Sequence, residues 1–225
     1  MLNVYVGWDS YQETAYEVCK YSLIRNSSQP IRVRPLKQSE LRNKNLYYRD
    51  RDLRASTQFS ITRFLVPVIA KHKGWAVFCD SDFLWLEDIS KLFDLADNRY
   101  AVQVVKHDYT PRFKQKMHRV VQHNYPKKNW SSLVLWNCEH PSNSAVDVEL
   151  VNEADPSYLH QFKWLKDHEI GEIHYDWNCL SGYYDLDNAK AIHYTDGGPW
   201  LLEYKNCEGA QLWRDEYERL CENSS

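Results

Sequence analysis

The sequence predicts an α/β fold in which helices flank a mixed, mostly parallel sheet. Short apolar runs rich in β-branched residues alternate along the chain with segments of helical periodicity, and this alternation is typical of parallel sheets. The chain has 225 residues, which is enough for one large domain with a substantial core. We therefore expect a single domain over residues 1–225.

The N-terminal elements are expected to be a strand, a helix and a second strand. Residues 2–6 form a short apolar run with β-branched members. Ser10 stands three residues before Glu13, a capping-box spacing that predicts the start of a helix. Residues 31–34 alternate apolar and basic side chains, as a half-buried strand does.

The next segment changes from charged to apolar. Residues 37–54 are highly charged and are expected to form a loop, either a lid or an ordinary solvated surface. Residues 56–73 show helical periodicity, with Pro67 expected to kink the helix. Residues 75–79 follow as a buried strand.

The C-terminal half continues the alternation. Further strands are predicted at residues 100–105, 133–136 and 189–193, and further helices at residues 144–153, 158–167 and 211–222. Because ligands bind at the carboxyl ends of strands in such sheets, functional residues are expected there.

The composition excludes several classes of protein. A hydrophobic fraction of 43% with 26% charged residues excludes a disordered or collagen-like chain. A formal net charge of −3 offers no basic excess for a nucleic acid. The N-terminus shows no signal-peptide pattern, and no apolar run is long enough to span a membrane. The 9 Trp and 16 Tyr residues suit contact with sugar or base faces.

The cysteines favour a cytoplasmic location. The 6 cysteines are widely spaced, without a C-x-x-C pair, and three lie in apolar strand-like runs. Buried, reduced thiols are expected from such a pattern.

The sharpest chemical feature is FCDSDFLW at residues 78–85. Asp80 and Asp82 follow a buried strand, and extended geometry places both carboxylates on one side of the chain. Such a pair repels unless a cation lies between its members, which favours a hard divalent metal over a capping or turn role. The same spacing at residues 50–52 and 185–187 lies in polar surroundings and is expected on the solvated surface.

A second feature is AIHYTDGGPW at residues 191–200. His193 ends a predicted strand, and imidazole suits Mn²⁺ better than Mg²⁺. Gly197 and Gly198 would let backbone N–H groups approach an anion closely. The alternative is a histidine with a purely structural role.

Together these motifs resemble the nucleotide-sugar glycosyltransferases of the GT-A fold, and in particular glycosyltransferase family 8, the glycogenin and galactosyltransferase-like group. That family has a D-x-D metal motif, an arginine in the preceding helix and a late H-Y-x-G-x-x-K-P-W segment. The resemblance covers most of the chain and implies a single GT-A (Rossmann-like) domain. Residues 1–105 would be its nucleotide-binding half and residues 106–225 its acceptor half.

The resemblance also implies roles for matching residues. Asp80, Asp82 and His193 match the ligands of Mn²⁺ (or Mg²⁺). Arg63 matches the arginine that contacts donor sugar or phosphate, and HYDWNCL at residues 174–180 matches the segment beside the reacting carbon. The catalytic residues are therefore expected to be Asp176, Arg63 and Asn178. Donor-binding positions are expected at Gly7, Trp8, Asp9, Arg63, Asp80, Ser81, Gly197 and Gly198, with Trp8 and Asp9 at the base.

The chain also departs from the family pattern. HYTDGGPW is one residue shorter than the family segment and lacks its diphosphate-binding lysine, so Gly197 and Gly198 are expected to replace that lysine in part. Ser132 stands where the family has Gly, and Trp177 and Asn178 stand where it has Gln and Asp.

The function implied is a hexosyltransferase-like enzyme of glycan biosynthesis. It would move a sugar from a UDP-sugar to a hydroxyl of a glycan or lipid-linked glycan, with retention. In a retaining enzyme, Asp176 would orient the donor sugar. In an inverting enzyme, it would be the general base that deprotonates the acceptor hydroxyl. The alternative without a catalytic role is an aspartate that caps a helix. Three alternatives remain: a sugar-nucleotide nucleotidyltransferase, a non-catalytic nucleotide- or sugar-binding module, and a purely structural protein. The N-terminal segment lacks the glycine-rich basic loop that is usual in nucleotidyltransferases.

A local basic run is the last feature. It comprises His107, Arg112, Lys114, Lys116, His118, Arg119, His123, Lys127 and Lys128. Such a run could bind an anionic glycan, a lipid-linked diphosphate or the surface of a membrane. The alternative is an ordinary solvated face.

Overall fold

A six-stranded sheet forms the centre of the protein. The computed structural model describes residues 1–50, 57–108, 110, 115–116, 120–121 and 126–223. The strands in chain order are β1 (Leu2–Gly7), β2 (Ile31–Leu36), β3 (Trp75–Cys79), β4 (Phe83–Trp85), β5 (Val102–Val104), β6 (Gln115–Lys116), β7 (Val120–Val121), β8 (Leu133–Asn137), β9 (Ile170–Glu172), β10 (Cys179–Leu180) and β11 (Ala191–His193). The helices are α1 (Glu13–Asn26), α2 (Gln38–Asn43), α3 (Val66–Ile69), α4 (Ser90–Phe93), α5 (Val148–Glu153), α6 (Pro156–His160) and α7 (Ala210–Glu222).

The large sheet is mixed and mostly parallel. Its order is β2-β1-β3-β8-β5-β9. β8 runs antiparallel to both of its neighbours, and the other pairings are parallel. A second sheet has the order β10-β11-β4, and β6 pairs with β7. The predicted α/β class with a mostly parallel sheet is confirmed.

Both faces of the large sheet are covered. Along β3, Ala76 and Phe78 pack into one apolar cluster, whereas Val77 and Cys79 pack into another. Consecutive residues of a strand point to opposite faces, so a strand buried on both sides has apolar residues throughout. This explains why residues 75–79 are a continuous apolar run.

The predicted helix over residues 56–73 forms only in part. Residues 62–65 form a 3-10 turn that continues directly into α3, which is a helix of one turn. Pro67 lies in the first turn of α3, where its missing N–H is tolerated, so the proline starts this helix instead of kinking a longer one. The backbone turns left-handed at Lys71 and His72, which ends the segment.

Other helices differ from prediction at their ends. α1 begins at Glu13, but its N-cap is Gln12 and no capping box forms, because the Ser10 hydroxyl accepts from Gln58 Nε2 at 2.8 Å instead. The predicted helix over residues 158–167 is shorter and ends with α6, since Phe162 has a φ of 53°. The predicted helix over residues 211–222 is confirmed as α7.

The charged segment after β2 is partly helical and is fixed to the fold. It contains α2, which the loop prediction missed. The main-chain N–H of Tyr48 donates to Asn152 Oδ1 at 2.7 Å, and Arg49 Nη1 donates to the Ala154 carbonyl at 2.7 Å. The segment is therefore anchored to α5 at least as far as Arg49. The rest of the predicted lid, residues 51–54, lies outside the described residues.

The cysteines and helices bear on two further predictions. All six cysteines are free, and four of them are buried, as expected. None of the helices in the described part of the chain combines the length and apolar character that a bilayer span requires.

Candidate metal and donor site

Polar side chains gather where the strands of the large sheet end. β1, β3, β5 and β9 share one edge at their carboxyl ends, and the antiparallel β8 begins at the same edge. Asp9, Asp80 and the segment 173–178 follow these strands directly. The sequence expectation of a site at the strand ends is therefore matched by the topology.

Asp80, Asp82 and His193 form one cluster. Each offers a ligand atom, and these atoms all lie within 4.8 Å of one another. Asp80 and Asp82 come from the turn between β3 and β4, whereas His193 is the last residue of β11. The predicted metal ligands are thus brought together from distant parts of the chain.

The small sheet places His193 against Asp82. β11 pairs antiparallel with β4, so that His193 stands opposite Phe83. The main-chain N–H of Tyr194 donates to the Asp82 carbonyl at 3.0 Å. The Phe83 ring stacks on the imidazole with a centroid distance of 4.5 Å. The histidine is therefore held rigidly on a strand rather than on a loop.

The cluster has the character of a cation site. Asp82 Oδ1 is buried and has no hydrogen-bond partner among the described residues, and it lies 3.4 Å from His193 Nε2. Burying an ionised carboxylate without a partner is costly. Two carboxylates and one imidazole suit a divalent ion such as Mn²⁺. The residues present therefore fit the metal implied by the sequence.

Arg63 lies beside the cluster and is buried. Its Nη1 is 2.8 Å from Asp80 Oδ1 and donates to the Ser131 carbonyl at 2.8 Å. Its guanidinium lies over the rings of Phe59 and Phe78, at 5.5 and 5.1 Å from their centroids. Arg63 thus holds Asp80 in place, and direct contact with a donor stays a prediction.

Asn178 is placed differently from expectation. Its side chain is completely buried, and its Oδ1 lies 2.9 Å from His193 Nδ1. Its Nδ2 donates to Ser132 Oγ at 2.9 Å. We expected Asn178 beside the reacting carbon, but here it supports a ligand of the candidate metal site.

Asp176 lies at the same edge of the sheet, outside the three-residue cluster. Its Oδ2 is 3.1 Å from His174 Nδ1, and its carbonyl accepts from the Lys190 N–H at 2.7 Å. The neighbouring Trp177 is buried in the core, where the family has a polar residue. The catalytic role of Asp176 stays a prediction.

The residues expected at the nucleobase lie after β1. Both carboxylate oxygens of Asp9 accept main-chain N–H groups at 2.9 Å, from Tyr11 and from Gln58. A Cβ on Gly7 would lie 2.4 Å from the Phe59 ring, so this position has no room for a side chain. Trp8 is half-buried, with Lys37 Nζ 4.7 Å from its ring centroid. Asp9 therefore connects the segment after β1 to the segment at Gln58.

Ser81 and the two glycines also have structural contacts. The Ser81 hydroxyl is fully buried and donates to Gln12 Oε1 at 3.4 Å. The Gly197 N–H donates to the Tyr194 carbonyl at 2.9 Å, so it is not available to an anion as expected. A Cβ on Gly198 would lie 1.9 Å from the Trp200 ring. Close aromatic packing accounts for both glycines.

Comparison with known proteins gives a family and a fold. No protein-family model matches the chain. The chain is 47% identical over 221 residues to Protein CDI of Arabidopsis thaliana, a match that covers 96% of this chain and 85% of that protein. The chain belongs to the Protein CDI family.

Solved glycosyltransferases share the fold of this Protein CDI family member. The bifunctional glycosyltransferase WbbM has a TM-score of 0.66 at 14% identity, covering 96% of this chain and 49% of WbbM. GlyE of Streptococcus pneumoniae TIGR4 has a TM-score of 0.65 at 16% identity, covering 96% of this chain and 61% of GlyE. The galactosyltransferase LgtC, solved with donor and acceptor sugar analogues, has a TM-score of 0.60 at 11% identity, covering 97% and 96% of the two chains.

These likenesses concern the fold. The chain spans about half the length of WbbM, and each identity is far below the level at which function follows from similarity. The fold of this Protein CDI family member is the GT-A glycosyltransferase fold.

Sequence reasoning missed several polar residues around His193. His107 was assigned to a basic surface, but it is buried beside Tyr184, whose hydroxyl lies 3.1 Å from its Nδ1. Burial and the nearby His193 lower the pKa of His107 to about 3, so it is neutral at physiological pH. Ser132 is matched to a family glycine in the sequence, but its contacts near His193 and those of Asn129 are not predicted. Only their position in the fold reveals these contacts.

The rest of the basic run gives no basic face within the described residues. Lys127 Nζ lies 3.0 Å from Asp167 Oδ1. The side chains of residues 111–125 lie outside the described residues. Contact of this run with an anionic acceptor stays a prediction.

A cavity of about 600 Å³ is lined by residues that follow His193 and by residues 181–183. Its lining includes Tyr183, Asp196, Tyr204 and Glu208, but none of the three candidate ligands. The cation chemistry therefore belongs to the strand-end cluster and not to this cavity.

Proposed function

We propose that this protein is a metal-dependent glycosyltransferase that moves a sugar from a nucleoside diphosphate sugar to a hydroxyl of an acceptor glycan or lipid-linked glycan. The observation that carries the proposal is the cluster of Asp80, Asp82 and His193 at the strand ends of a GT-A fold. The resemblance to glycosyltransferase family 8 at these positions supports UDP as the nucleotide and retention as the stereochemical course.

The two halves of the chain would have different roles. Residues 1–105 contribute β1 to β5 and the two aspartates, and we assign the donor nucleotide to them. Residues 106–225 contribute His193 and the segment around Asp176, and we assign the acceptor to them. Strands from both halves pair within the large sheet and within the β10-β11-β4 sheet, which supports one domain. The six free thiols support a cytoplasmic location.

The electrostatics of the cluster suit a diphosphate leaving group. A bound divalent cation would act as a Lewis acid that stabilises the charge developing on the leaving diphosphate. Asp80, Asp82 and His193 would hold it. Arg63 offsets the charge of Asp80 at 2.8 Å. With a divalent cation bound, the charges of the cation and Arg63 would together exceed those of the two aspartates, so the site would present a net positive charge to the diphosphate.

The groups around the cluster orient it and exclude water. Arg63 and Phe83 fix Asp80 and His193, so that little reorganisation is needed when substrate binds. Asp176 stands at the same edge, where we assign it to orienting the donor sugar. Lys37 lies over the Trp8 ring and the Gln58 N–H donates to Asp9, and we assign these two contacts to shielding the donor from water on that side.

The test is calorimetric binding of UDP and a panel of UDP-sugars, with Mn²⁺ and with EDTA. We expect binding to require Mn²⁺ and to be lost in Asp82→Asn and in His193→Ala. Asp187→Asn is the matched control, because it belongs to a D-x-D pair on an exposed turn. The preferred sugar is then tested for transfer and for slow hydrolysis.

Two outcomes would contradict the proposal. UDP binding that EDTA leaves unchanged would indicate a metal-independent binding module. Mn²⁺-dependent binding with neither hydrolysis nor transfer of any nucleotide-sugar, including GDP- and dTDP-sugars, would indicate a protein without transferase activity.

A further inference from the structure

We propose that Asn178, Ser132 and Asn129 form a hydrogen-bond relay that sets the tautomer of His193, leaving Nε2 as the metal-binding nitrogen. The inference rests on the proposed function for the metal, but the tautomer is a property of the metal-free chain. These residues would be positioning residues, because they act through the histidine and not on a substrate.

The relay starts at a group that can only accept hydrogen bonds. The Asn129 carbonyl accepts the Ser132 N–H at 3.2 Å and the Ser132 hydroxyl at 2.7 Å. Asn129 has a φ of 61°, a left-handed conformation that asparagine tolerates better than most residues. The hydroxyl proton of Ser132 is therefore directed to Asn129.

The direction of that proton determines the orientation of the Asn178 amide. Ser132 Oγ presents only lone pairs to Asn178, so the group facing it at 2.9 Å must be the amide Nδ2. The opposite orientation would place two oxygen lone pairs against each other. Asn178 Oδ1 therefore faces His193 Nδ1, at 2.9 Å.

The amide orientation in turn determines the tautomer. An amide oxygen only accepts, so His193 Nδ1 carries the hydrogen. The neutral ring then has its lone pair at Nε2, the nitrogen that lies 3.4 Å from Asp82 Oδ1. A hydrogen bond to the other ring nitrogen is the usual way in which proteins orient a ligating histidine.

A further contact ties the relay to the chain just after the ligand. Asn129 Nδ2 donates to Thr195 Oγ1 at 2.9 Å, and Thr195 lies two residues beyond His193. Ser132, Asn178, His193 and Thr195 are all buried. Few waters can compete with these bonds, so each holds its orientation.

The chain offers a matched control in the adjacent serine. Ser131 is buried like Ser132, but its hydroxyl lies 2.8 Å from Nδ1 of His160, which is outside the cluster. Ser131→Ala therefore removes a buried hydroxyl that bonds a histidine without touching the relay.

The first test reads the tautomer by ¹⁵N-histidine NMR of the metal-free 225-residue chain at pH 8.5, with His193→Gln to assign the signal. We expect wild type and Ser131→Ala to carry the hydrogen on Nδ1. Asn178→Leu removes the acceptor and should give a mixture of tautomers. Asn178→Asp still accepts at this point and should restore the Nδ1–H form.

The second test measures Mn²⁺ affinity by calorimetry. Loss of an outer-shell partner typically weakens metal binding about 10- to 100-fold, which we expect for Asn178→Leu. Ser132→Ala should give a smaller loss, and Ser131→Ala none. Ser132→Ala removes only one oxygen atom and is therefore expected to fold. It can test the relay even if Asn178→Leu does not fold.

Two results would overturn the relay. One is a wild-type His193 that carries its hydrogen on Nε2. The other is wild-type Mn²⁺ affinity in both Asn178→Leu and Ser132→Ala. A wild-type chain that binds no Mn²⁺ would contradict the proposed function instead, and the NMR result would still decide the tautomer.

Discussion

The buried Arg63 side chain makes it easier for Asp80 and Asp82 to be ionised side by side. Two neighbouring carboxylates raise each other's cost of ionisation, and an adjacent cation lowers that cost. The guanidinium supplies this cation to Asp80 while also bonding the Ser131 carbonyl. Its planar head group lies over the rings of both Phe59 and Phe78, a contact that a lysine ammonium would not reproduce.

We expect Arg63→Lys to weaken Mn²⁺-dependent UDP binding about 10- to 150-fold, because one good charge-assisted hydrogen bond is worth about 1.5–3 kcal/mol. Arg63→Met should cost about 3 kcal/mol of folding free energy, the low end for a broken buried pair, since it leaves the Asp80 side chain, which is only 14% exposed, without its cation. Calorimetry and urea unfolding measure the two effects. Arg99→Lys, at an exposed ion pair with Asp97, is the control and should change neither. Wild-type behaviour of Arg63→Lys would contradict this role.

At the scale of elements, α7 supports the strand that carries His193. Trp213 of α7 packs on Trp200, with ring centroids 5.6 Å apart, and Trp200 packs on Tyr194. The Tyr194 hydroxyl donates to the Gly209 carbonyl at the start of the helix. Arg25 Nε donates to the buried Glu216 at 2.7 Å, which joins α7 to α1. The C-terminal helix is thus part of the core.

Trp213→Ala should lower the free energy of unfolding by about 3–5 kcal/mol, the range for a buried aromatic removed from a core. It should also weaken Mn²⁺ binding, because the segment after His193 loses its packing. Leu212→Ala is the control, since this neighbour on α7 is exposed. Urea unfolding and calorimetry measure both effects. Equal stabilities of the two variants would show that α7 does not support the site.

Asp88 stabilises the start of α4 in a way that depends on pH. Burial by itself raises the pKa of Asp88, but hydrogen bonds from Ser28 and Ser90 outweigh it and lower the pKa from 3.8 to about 2. A depressed pKa adds stability that is fully present above pH 4 and is lost as the pH falls toward 2.

Asp88→Asn should therefore cost about 1 kcal/mol at pH 7, and the difference from wild type should fall by about half at pH 3. Urea unfolding at pH 7, 5 and 3 measures this. A difference that stays the same at all three values would mean that the carboxylate charge is not what stabilises α4.

At the scale of the whole molecule, binding at the cluster should be coupled to folding. The two aspartates and His193 come together only when β11 pairs with β4, beside the turn that follows β3, so the unfolded chain has no comparable site. A ligand that binds only the folded state stabilises it according to its free concentration.

Mn²⁺ at 100 times its Kd should raise the free energy of unfolding by about 2.7 kcal/mol. Asp82→Asn should abolish this gain, and Asp187→Asn should keep it. Thermal unfolding with and without EDTA provides the measurement. A gain that persists in Asp82→Asn would place the bound ion elsewhere.

The sequence predicted those parts of the molecule that local pattern determines. The buried strand before Asp80 and the strand ending at His193 are visible as apolar runs, so the three candidate ligands could be named. The contacts of Asn178, Ser132 and His107 could not, because they join segments that are far apart in the chain. The helix over residues 56–73 forms only in part for a related reason, since tertiary packing overrides local periodicity.

The reversed direction of β8 has a consequence for how such a protein can diversify. The chain leaves the large sheet after Val104 and re-enters it at Leu133, both at the edge that carries the aspartates. An insertion or deletion between these points would therefore change the surroundings of the cluster while leaving every strand pairing of the large sheet intact. Relatives with the same sheet and the same three residues could in this way differ around the cluster by altering a single connection.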